Sequence, residues 1–251
     1  DGITALAVWA PGDGDGVIHI LFLNSDGRVK DTLKITEGSN GGPVLDKEDI
    51  QHFGDSVTSL GDLNGDGVTD LAAGAQGDGS DHGFVYILFL NANGSVNDIA
   101  IIGDNTNGGP NLAEDDRFGR AVASIGDLDG DGITELAVGA ADDGKGAVHI
   151  LFLDSDGSAK DSIKIAEGIN GTPLLDASTS SFGRSVASLG DLNGDGINDL
   201  AVGASDDGPR GDDQGAMYLL FLDTDGSVKD SLKIDSNTDG GPELGGADSF
   251  S

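Results

Sequence analysis

The chain has 251 residues, with 43 glycines, no cysteine and a formal net charge of −32. Such an acidic surface disfavours nucleic acid as a partner, and the apolar runs are too short to insert into a membrane as helices. Without cysteine the chain forms no disulfide and has no thiolate chemistry. Frequent glycine with few aromatic residues favours many short strands and tight turns over a helical bundle.

The sequence repeats with a period of 64 or 65 residues, the spacing between Asp1, Asp66, Asp131 and Asp195. A repeat of this length predicts an architecture in which each unit packs against the next. We predict a single repeat domain over 1–251. Its units are 1–52, 53–117, 118–181 and 182–249, with 250–251 beginning a further repeat.

Each complete unit is predicted to form four strands. An apolar strand follows a Phe-Gly pair, and an acidic loop leads into a second strand of small residues with the core Leu-Ala-x-Gly-Ala. An apolar third strand and an Asx-x-Asx-Gly turn then precede a fourth strand of alternating polarity. In chain order the predicted strands are 4–10, 17–23 and 32–35; 56–63, 69–75, 84–90 and 98–102; 121–128, 134–140, 147–153 and 162–165; 185–192, 198–204, 216–222 and 231–234. This grading of four antiparallel strands is typical of a blade, so the predicted fold is an all-β propeller of four-stranded antiparallel blades.

The acidic loop occurs in full at 61–71, 126–136 and 190–200. Positions are counted from the aspartate that follows the first glycine of each range. Each copy then has side-chain oxygens at positions 1, 3, 5 and 9, a glycine at the sharp turn of position 6, and at position 7 a backbone carbonyl that can face an ion. Hard oxygen ligands at alternate positions of a tight turn suit Ca²⁺. The predicted metal ligands are Asp62, Asn64, Asp66, Val68 and Asp70; Asp127, Asp129, Asp131, Ile133 and Glu135; Asp191, Asn193, Asp195, Ile197 and Asp199.

Two alternatives to this metal site fit the sequence less well. An EF-hand needs a bidentate Glu at position 12 and flanking helices, but position 12 is Ala73, Val138 or Val202 and the flanks show no helical period. A solvated hairpin tip explains one Asp/Gly-rich turn, whereas three copies in register favour metal. The N-terminal copy retains Asp1 but has Ala5 at position 9. We therefore predict three complete Ca²⁺ sites and an incomplete fourth that binds no ion by itself.

The Phe-Gly pair, the Asp-x-Asx-Gly-Asp-Gly loop and the Leu-Ala-Val-Gly-Ala strand together resemble FG-GAP repeats, the blades of integrin α-subunit β-propellers and of many bacterial surface proteins. The resemblance implies that the metal loops join strands 1 and 2 on a lower face. It also implies that ligands meet an upper face made of the 2–3 and 4–1 loops. Only the first unit keeps the Ala10-Pro11 of the motif's name, and there are four units where the family's rings usually have seven blades.

We expect a non-enzymatic, Ca²⁺-binding module of an exported or cell-surface protein that serves in adhesion or as a structural scaffold, with a protein or glycan ligand on the upper face. The Ca²⁺ concentrations that fill the weak sites of extracellular modules occur only outside the cell. Two alternatives remain open. One is a carbohydrate-binding or hydrolytic propeller, although the upper loops offer few aromatic platforms. The other is a fibre or array in which neighbouring copies complete each other's blades.

Other residues carry weaker signals. His19 and His149 share a third-strand position with Tyr86 and Tyr218, which predicts a half-exposed aromatic site rather than a metal or catalytic one. The tripeptide at 210–212, Arg-Gly-Asp, is the one that integrins recognise on their partners. It falls in the longest 2–3 loop, and so short a match is weak evidence of a functional role. No Ser/His/Asp, Cys/His or phosphate-loop arrangement points to an enzyme.

Overall fold

We describe the protein from a computed structural model. The described residues are 5–10, 16–45, 52–76, 82–175, 180–207, 215–236 and 238. Asp1, the tripeptide at 210–212 and the start of a further repeat at 250–251 lie outside this set.

The described residues form fifteen strands and no helix. The first sheet has three strands: β1 (Ala5–Trp9), β2 (Ile18–Leu23) and β3 (Val29–Ile35). Each of the other sheets has four: β4 (Ser56–Gly61), β5 (Asp70–Ala75), β6 (Phe84–Leu90) and β7 (Val96–Ile102); β8 (Phe118–Gly126), β9 (Glu135–Ala140), β10 (Ala147–Leu153) and β11 (Ala159–Ala166); β12 (Phe182–Gly190), β13 (Asp199–Ala204), β14 (Ala216–Leu222) and β15 (Val228–Ile234).

Every sheet is antiparallel and its strands pair in chain order, which confirms the predicted all-β fold of propeller blades. The predicted fourth strands were too short. In the second sheet, for example, the strand begins at Val96, which pairs with Leu90 across a bulge next to the hairpin turn. Polar residues at the start of these strands join the ladder through their backbones, so side-chain polarity is a poor guide to where the strand begins.

The apolar core lies between successive sheets. Each sheet has a forward face, which we define as the face toward the next sheet in chain order, and a rear face toward the preceding one. Between the third and fourth sheets, Ile150 and Phe152 of the forward face pack with Leu200, Leu220 and other residues of the rear face opposite. Equivalent clusters fill the two earlier interfaces.

The phenylalanine of each Phe-Gly pair lies fully buried against an aromatic ring of its own third strand. The edge-to-face ring pairs are Phe53 with Tyr86 at 5.2 Å, Phe118 with His149 at 5.6 Å, and Phe182 with Tyr218 at 5.6 Å. The prediction of a half-exposed third-strand position was therefore wrong for these sheets. The strand-3 ring is covered by the phenylalanine that opens its own unit, and His149 is only 2% exposed.

Neighbouring sheets approach each other closely at two repeated points, a glycine in the first strand and an Asx-Gly turn after the fourth. Gly119 has φ +85°, and a Cβ atom there would lie 2.3 Å from the carbonyl oxygen of Phe84 in the preceding sheet. In the turn after β3, Asn40 has φ 52° and its carbonyl accepts a hydrogen bond of 2.9 Å from the amide of Val96. The same contact recurs from Asn107 and Asn170. The Asx-Gly turns thus attach each sheet to the next.

Within the described residues, the first sheet has no strand equivalent to β4, β8 and β12. A cavity of about 460 Å³ lies beside β1 at its junction with the second sheet, and its lining includes Leu6, Phe22, Val57 and Leu71. Elsewhere in the described structure this place is filled, because the first strands of successive sheets pack against one another there.

The close approach at Gly139 generates a stability prediction. A Cβ atom there would lie 1.9 Å from the carbonyl oxygen of Gly183. Because backbone cannot move away cheaply, Gly139→Ala should lower the free energy of unfolding by about 2 kcal/mol or more in a denaturant titration. The control is Gly144→Ala, whose φ is +68° but whose Cβ would meet nothing within 4 Å. It should cost only about 1 kcal/mol of backbone strain. Equal losses in the two variants would contradict the tight contact.

Candidate metal centre

The three acidic loops all lie at the same end of their sheets. Each loop joins the first strand of a four-stranded sheet to the second, and the hairpin between the third and fourth strands ends beside it. The strand directions therefore place the loops on one face of the molecule and the 2–3 and 4–1 connections on the other.

The carboxylate at position 1 fixes the turn in each loop. An oxygen of Asp62 accepts a hydrogen bond of 2.9 Å from the amide of Gly67, and the same bond recurs in the other loops at 2.9 Å, from Gly132 to Asp127 and from Gly196 to Asp191. The side chains at positions 3 and 5 each accept a hydrogen bond from the amide two residues further on. In the first loop Asn64 accepts from Asp66, and Asp66 accepts from Val68. These bonds wrap the chain around the side-chain oxygens.

The position-9 aspartates of the outer two loops are fully buried and bonded through both oxygens. Asp70 accepts from the amides of Leu63 at 3.1 Å and Leu90 at 3.0 Å. Asp199 accepts from Leu192 at 2.9 Å and Leu222 at 3.3 Å. Burial raises the pKa of Asp70, and these amide bonds oppose that rise. Position 9 therefore ties the acidic loop to the end of the third strand, a structural role that its spacing alone did not reveal.

The middle loop differs, because position 9 is Glu135. One of its oxygens accepts a hydrogen bond from the amide of Leu128, while Oε1 is buried and has no hydrogen-bond partner. Ligand oxygens of Asp127, Asp129 and Glu135 all lie within 4.8 Å of one another. Burial, followed by the charges of Asp129 and Asp131, raises the pKa of Glu135 to about 7.

These features fit a hard cation. An orphaned, buried carboxylate oxygen next to two further carboxylates is costly unless a positive charge offsets the burial and the repulsion. Ca²⁺ accepts such an all-oxygen set in flexible geometry. Among the described residues, the middle loop is where carboxylate oxygens converge closely enough to hold an ion by themselves. The other loops have asparagine at position 3.

Two lysines lie against the loops, and the sequence reasoning missed both. Lys160, at the start of β11, pairs with Asp129 at 2.8 Å and with Asp131. Lys229, at the start of β15, pairs with Asp195. The hydrogen bond from each ammonium lowers the pKa of the position-5 carboxylate. The second sheet has Asn97 at the equivalent place. The signal in the sequence was a lysine three residues after the repeated Asp-Gly turn.

The described residues contain no helix of the length and apolarity that a membrane span requires.

A comparison with models of protein families identifies the repeats. A family model described as "FG-GAP repeat" matches residues 53–88, 118–151 and 182–220. Each matched segment runs from a Phe-Gly pair through an acidic loop into the third strand. The predicted resemblance to FG-GAP repeats is confirmed.

Several curated relatives are integrin α chains. The chain is 35% identical to integrin alpha-PS5 of Drosophila melanogaster over 166 residues, which is 61% of this chain and 15% of that protein. It is 32% identical to integrin alpha-3 of Cricetulus griseus over 197 residues, or 76% of this chain and 17% of the relative. With integrin alpha pat-2 of Caenorhabditis elegans the identity is 30% over 224 residues, or 81% and 17%.

The chain thus spans less than a fifth of the length of these relatives. Within this chain, the Phe-Gly pair, the acidic loop and the small-residue strand follow one another in each segment that the FG-GAP model matches. The chain therefore carries three FG-GAP repeats, is similar to integrin α chains, and has sheets of the β-propeller blade type.

Proposed function

We propose that this chain is a Ca²⁺-stabilised, non-enzymatic adhesion module of an extracellular or cell-surface protein, with residues 1–251 acting as a single propeller-type domain. The orphaned, buried Oε1 of Glu135 beside Asp127 and Asp129 carries the calcium part of the proposal. Equivalent oxygens at positions 1, 3, 5 and 9 extend it to the loops at 61–71 and 190–200. The carbonyls of Val68, Ile133 and Ile197 complete the proposed ligand sets.

The ion would act on the fold through the loop. By binding the carboxylates of positions 1, 3 and 5, it offsets their mutual repulsion and fixes the link between the first and second strands of a sheet. A ligand that binds only the folded state stabilises it by RT ln(1 + [L]/Kd). Weak affinities of about 10⁻⁴ to 10⁻³ M, usual for extracellular modules, would keep the sites filled outside the cell.

The partner would be a protein ligand on the face opposite the loops. Integrin α relatives support this assignment, and so does a network of polar side chains on that face. There, Arg120 donates to Gln76 at 2.8 Å, and Gln76 donates to Asp55 at 2.8 Å, so side chains of two adjacent sheets are linked. Among the described residues of that face, this network ties the end of β5 to the start of β8.

The first prediction from this proposal concerns calcium and thermal stability. At [Ca²⁺] about 100-fold above Kd, one site adds about 2.7 kcal/mol, so the unfolding midpoint should rise by roughly 5–10 °C or more relative to chelated protein. Differential scanning calorimetry measures this shift. Mg²⁺ is the control and should raise the midpoint less, because it demands near-ideal octahedral geometry. A midpoint that is the same with chelator and with excess Ca²⁺ would contradict the proposal.

The second prediction isolates the middle loop. Glu135→Gln removes the charge that faces Asp127 and Asp129 while keeping nearly the same shape. Isothermal titration should therefore show one fewer Ca²⁺ bound per chain, or a weakening of that site by at least about tenfold. The matched control is Glu167→Gln, whose carboxylate pairs with Lys145 at 2.7 Å away from the loops. Unchanged titration curves for Glu135→Gln would rule this residue out as a ligand.

The third prediction concerns the lysine beside the middle loop. An ion at Asp129 and Asp131 must compete with the ammonium of Lys160, so Lys160→Gln should tighten Ca²⁺ binding about two- to fivefold at low salt. The control is Lys164→Gln, which breaks an ion pair with Asp143 at the end of the sheet opposite the acidic loop. Should Lys160→Gln instead weaken binding, the lysine would be a support for the loop rather than a competitor.

A further inference from the structure

Asparagine followed by glycine occurs six times in the chain, and every copy lies within the described residues. The pairs are Asn40-Gly41, Asn64-Gly65, Asn93-Gly94, Asn107-Gly108, Asn170-Gly171 and Asn193-Gly194. In this dipeptide the backbone nitrogen of the glycine can attack the side-chain amide carbon of the asparagine, because glycine has no Cβ atom to obstruct the approach. The surroundings of the six pairs therefore decide which of them is free to react.

The reaction requires two freedoms from the fold. The glycine amide must be free of a hydrogen bond, since its nitrogen has to lose its proton and turn toward the side chain. The asparagine side chain and the glycine backbone must also be able to move toward each other, so close packing around either of them prevents the attack.

Three of the pairs lie in the turns that attach one sheet to the next, and there packing blocks the reaction. A Cβ atom on any of the three glycines would lie 2.2 Å or less from a carbonyl oxygen of the next sheet. The asparagine side chains are also held, because each donates a hydrogen bond of 2.7–2.8 Å to a backbone carbonyl of the preceding strand. The bonds run from Asn40 to Lys34, from Asn107 to Ile101 and from Asn170 to Lys164.

Two further pairs have a glycine whose amide is already hydrogen-bonded. In the hairpin of the second sheet, the amide of Gly94 donates to the carbonyl of Asn91 at 2.8 Å. In the loop at 190–200, the amide of Gly194 donates to Oδ1 of Asp191 at 2.6 Å. Attack by either nitrogen would first have to break this bond.

The remaining pair, Asn64-Gly65 in the loop at 61–71, has neither restraint. Both residues are exposed, and a Cβ atom on Gly65 would meet nothing within 4 Å. The amide of Gly65 has no hydrogen-bond acceptor among the described residues. Oδ1 of Asn64 accepts a hydrogen bond of 2.9 Å from the amide of Asp66. This donor favours the attack, because negative charge develops on that oxygen as the new bond forms.

We propose that Asn64 is a site of spontaneous deamidation, and that the fold directs the reaction to this pair among the six. A bond forms between the nitrogen of Gly65 and Cγ of Asn64, the bond from Cγ to Nδ2 breaks, and ammonia leaves with the proton of the glycine amide. Water then opens the cyclic imide at one of its two carbonyls, which leaves an aspartyl or an isoaspartyl residue. This modification goes beyond the proposed function and needs no enzyme, metal or oxidant.

The product adds a carboxylate to the loop. An aspartyl residue at position 3 makes residues 62–67 identical in sequence to 127–132 of the middle loop. In the middle loop Lys160 pairs with the carboxylates, whereas the second sheet has Asn97 at the equivalent place. The modified loop therefore gains charge with no lysine beside it among the described residues. The isoaspartyl product also lengthens the main chain inside the turn that Asp62 fixes.

The test follows all six pairs in the full chain, incubated with chelator in mildly alkaline buffer well below the unfolding midpoint. Digestion with pepsin at acid pH avoids further reaction, and mass spectrometry measures the gain of about 1 Da at each asparagine. Asn64 should react at least about tenfold faster than each of the others, because there no hydrogen bond of the glycine amide and no close packing has to be lost first. In denaturant the six rates should converge, since all are then the same dipeptide in an open chain.

A matched pair of variants separates the amide hydrogen bond from a general loosening of the loop. Asp191→Ala frees the amide of Gly194 and should speed the reaction at Asn193 about tenfold. Asp62→Ala removes the equivalent carboxylate, to which Gly65 does not donate, and should change the rate in its own loop by less than about threefold.

Each other outcome overturns the proposal. Another pair that reacts as fast as Asn64 in the folded chain, an Asn64 that stays unmodified while the unfolded chain reacts, or rates that differ as much in denaturant would each do so. Equal responses to Asp191→Ala and Asp62→Ala would do so as well. The incubation contains no free Ca²⁺, so these results are independent of the calcium proposal, which the calorimetric shift decides.

Discussion

The close approach of one sheet's backbone to the next is the constraint on which this structure depends. Gly119 and Gly139 bring main chain against main chain in neighbouring sheets, and Asn40 and its counterparts hydrogen-bond across each junction. A side chain at Gly119, Gly139 or Gly41 would push the sheets apart, so glycine is required there even though it weakens strands. The high glycine content follows from this need rather than from flexibility, and the buried Phe-Gly pairs keep successive sheets in register.

The same constraint determines where charge can be placed. The interiors between sheets are apolar, so the carboxylates are concentrated in the loops and on the outer strands. At position 9 a carboxylate does enter the interior, and there the backbone must satisfy it. Asp70 and Asp199 meet that requirement with two amides each. Glu135 has one more methylene, which leaves an oxygen unsatisfied beside Asp127 and Asp129. Support for the sheet and the proposed binding of a cation thus share one residue position.

Much of this could be predicted from the sequence, because the repeat supplies several readings of each position. The strand order, the blade fold and the acidic loops follow from period, alternation and turn residues. The burial of His149 could not be predicted, since polarity suggested exposure while the ring packs against Phe118. Lys160 and Lys229 were missed because they reach the loops across a hairpin, a contact set by strand pairing. The free oxygen of Glu135 depends on the length of one side chain within its pocket.

The three-stranded form of the first sheet in the described residues has a consequence for local dynamics. β1 pairs with β2 alone, and the cavity beside it removes packing that the other sheets have. Segments with few buried contacts and solvent-facing backbone open at free energies well below that of global unfolding. Amide hydrogens of β1 should therefore exchange with solvent long before those of β5, β9 and β13, and the first sheet would detach while the other three remain folded as one cooperative unit.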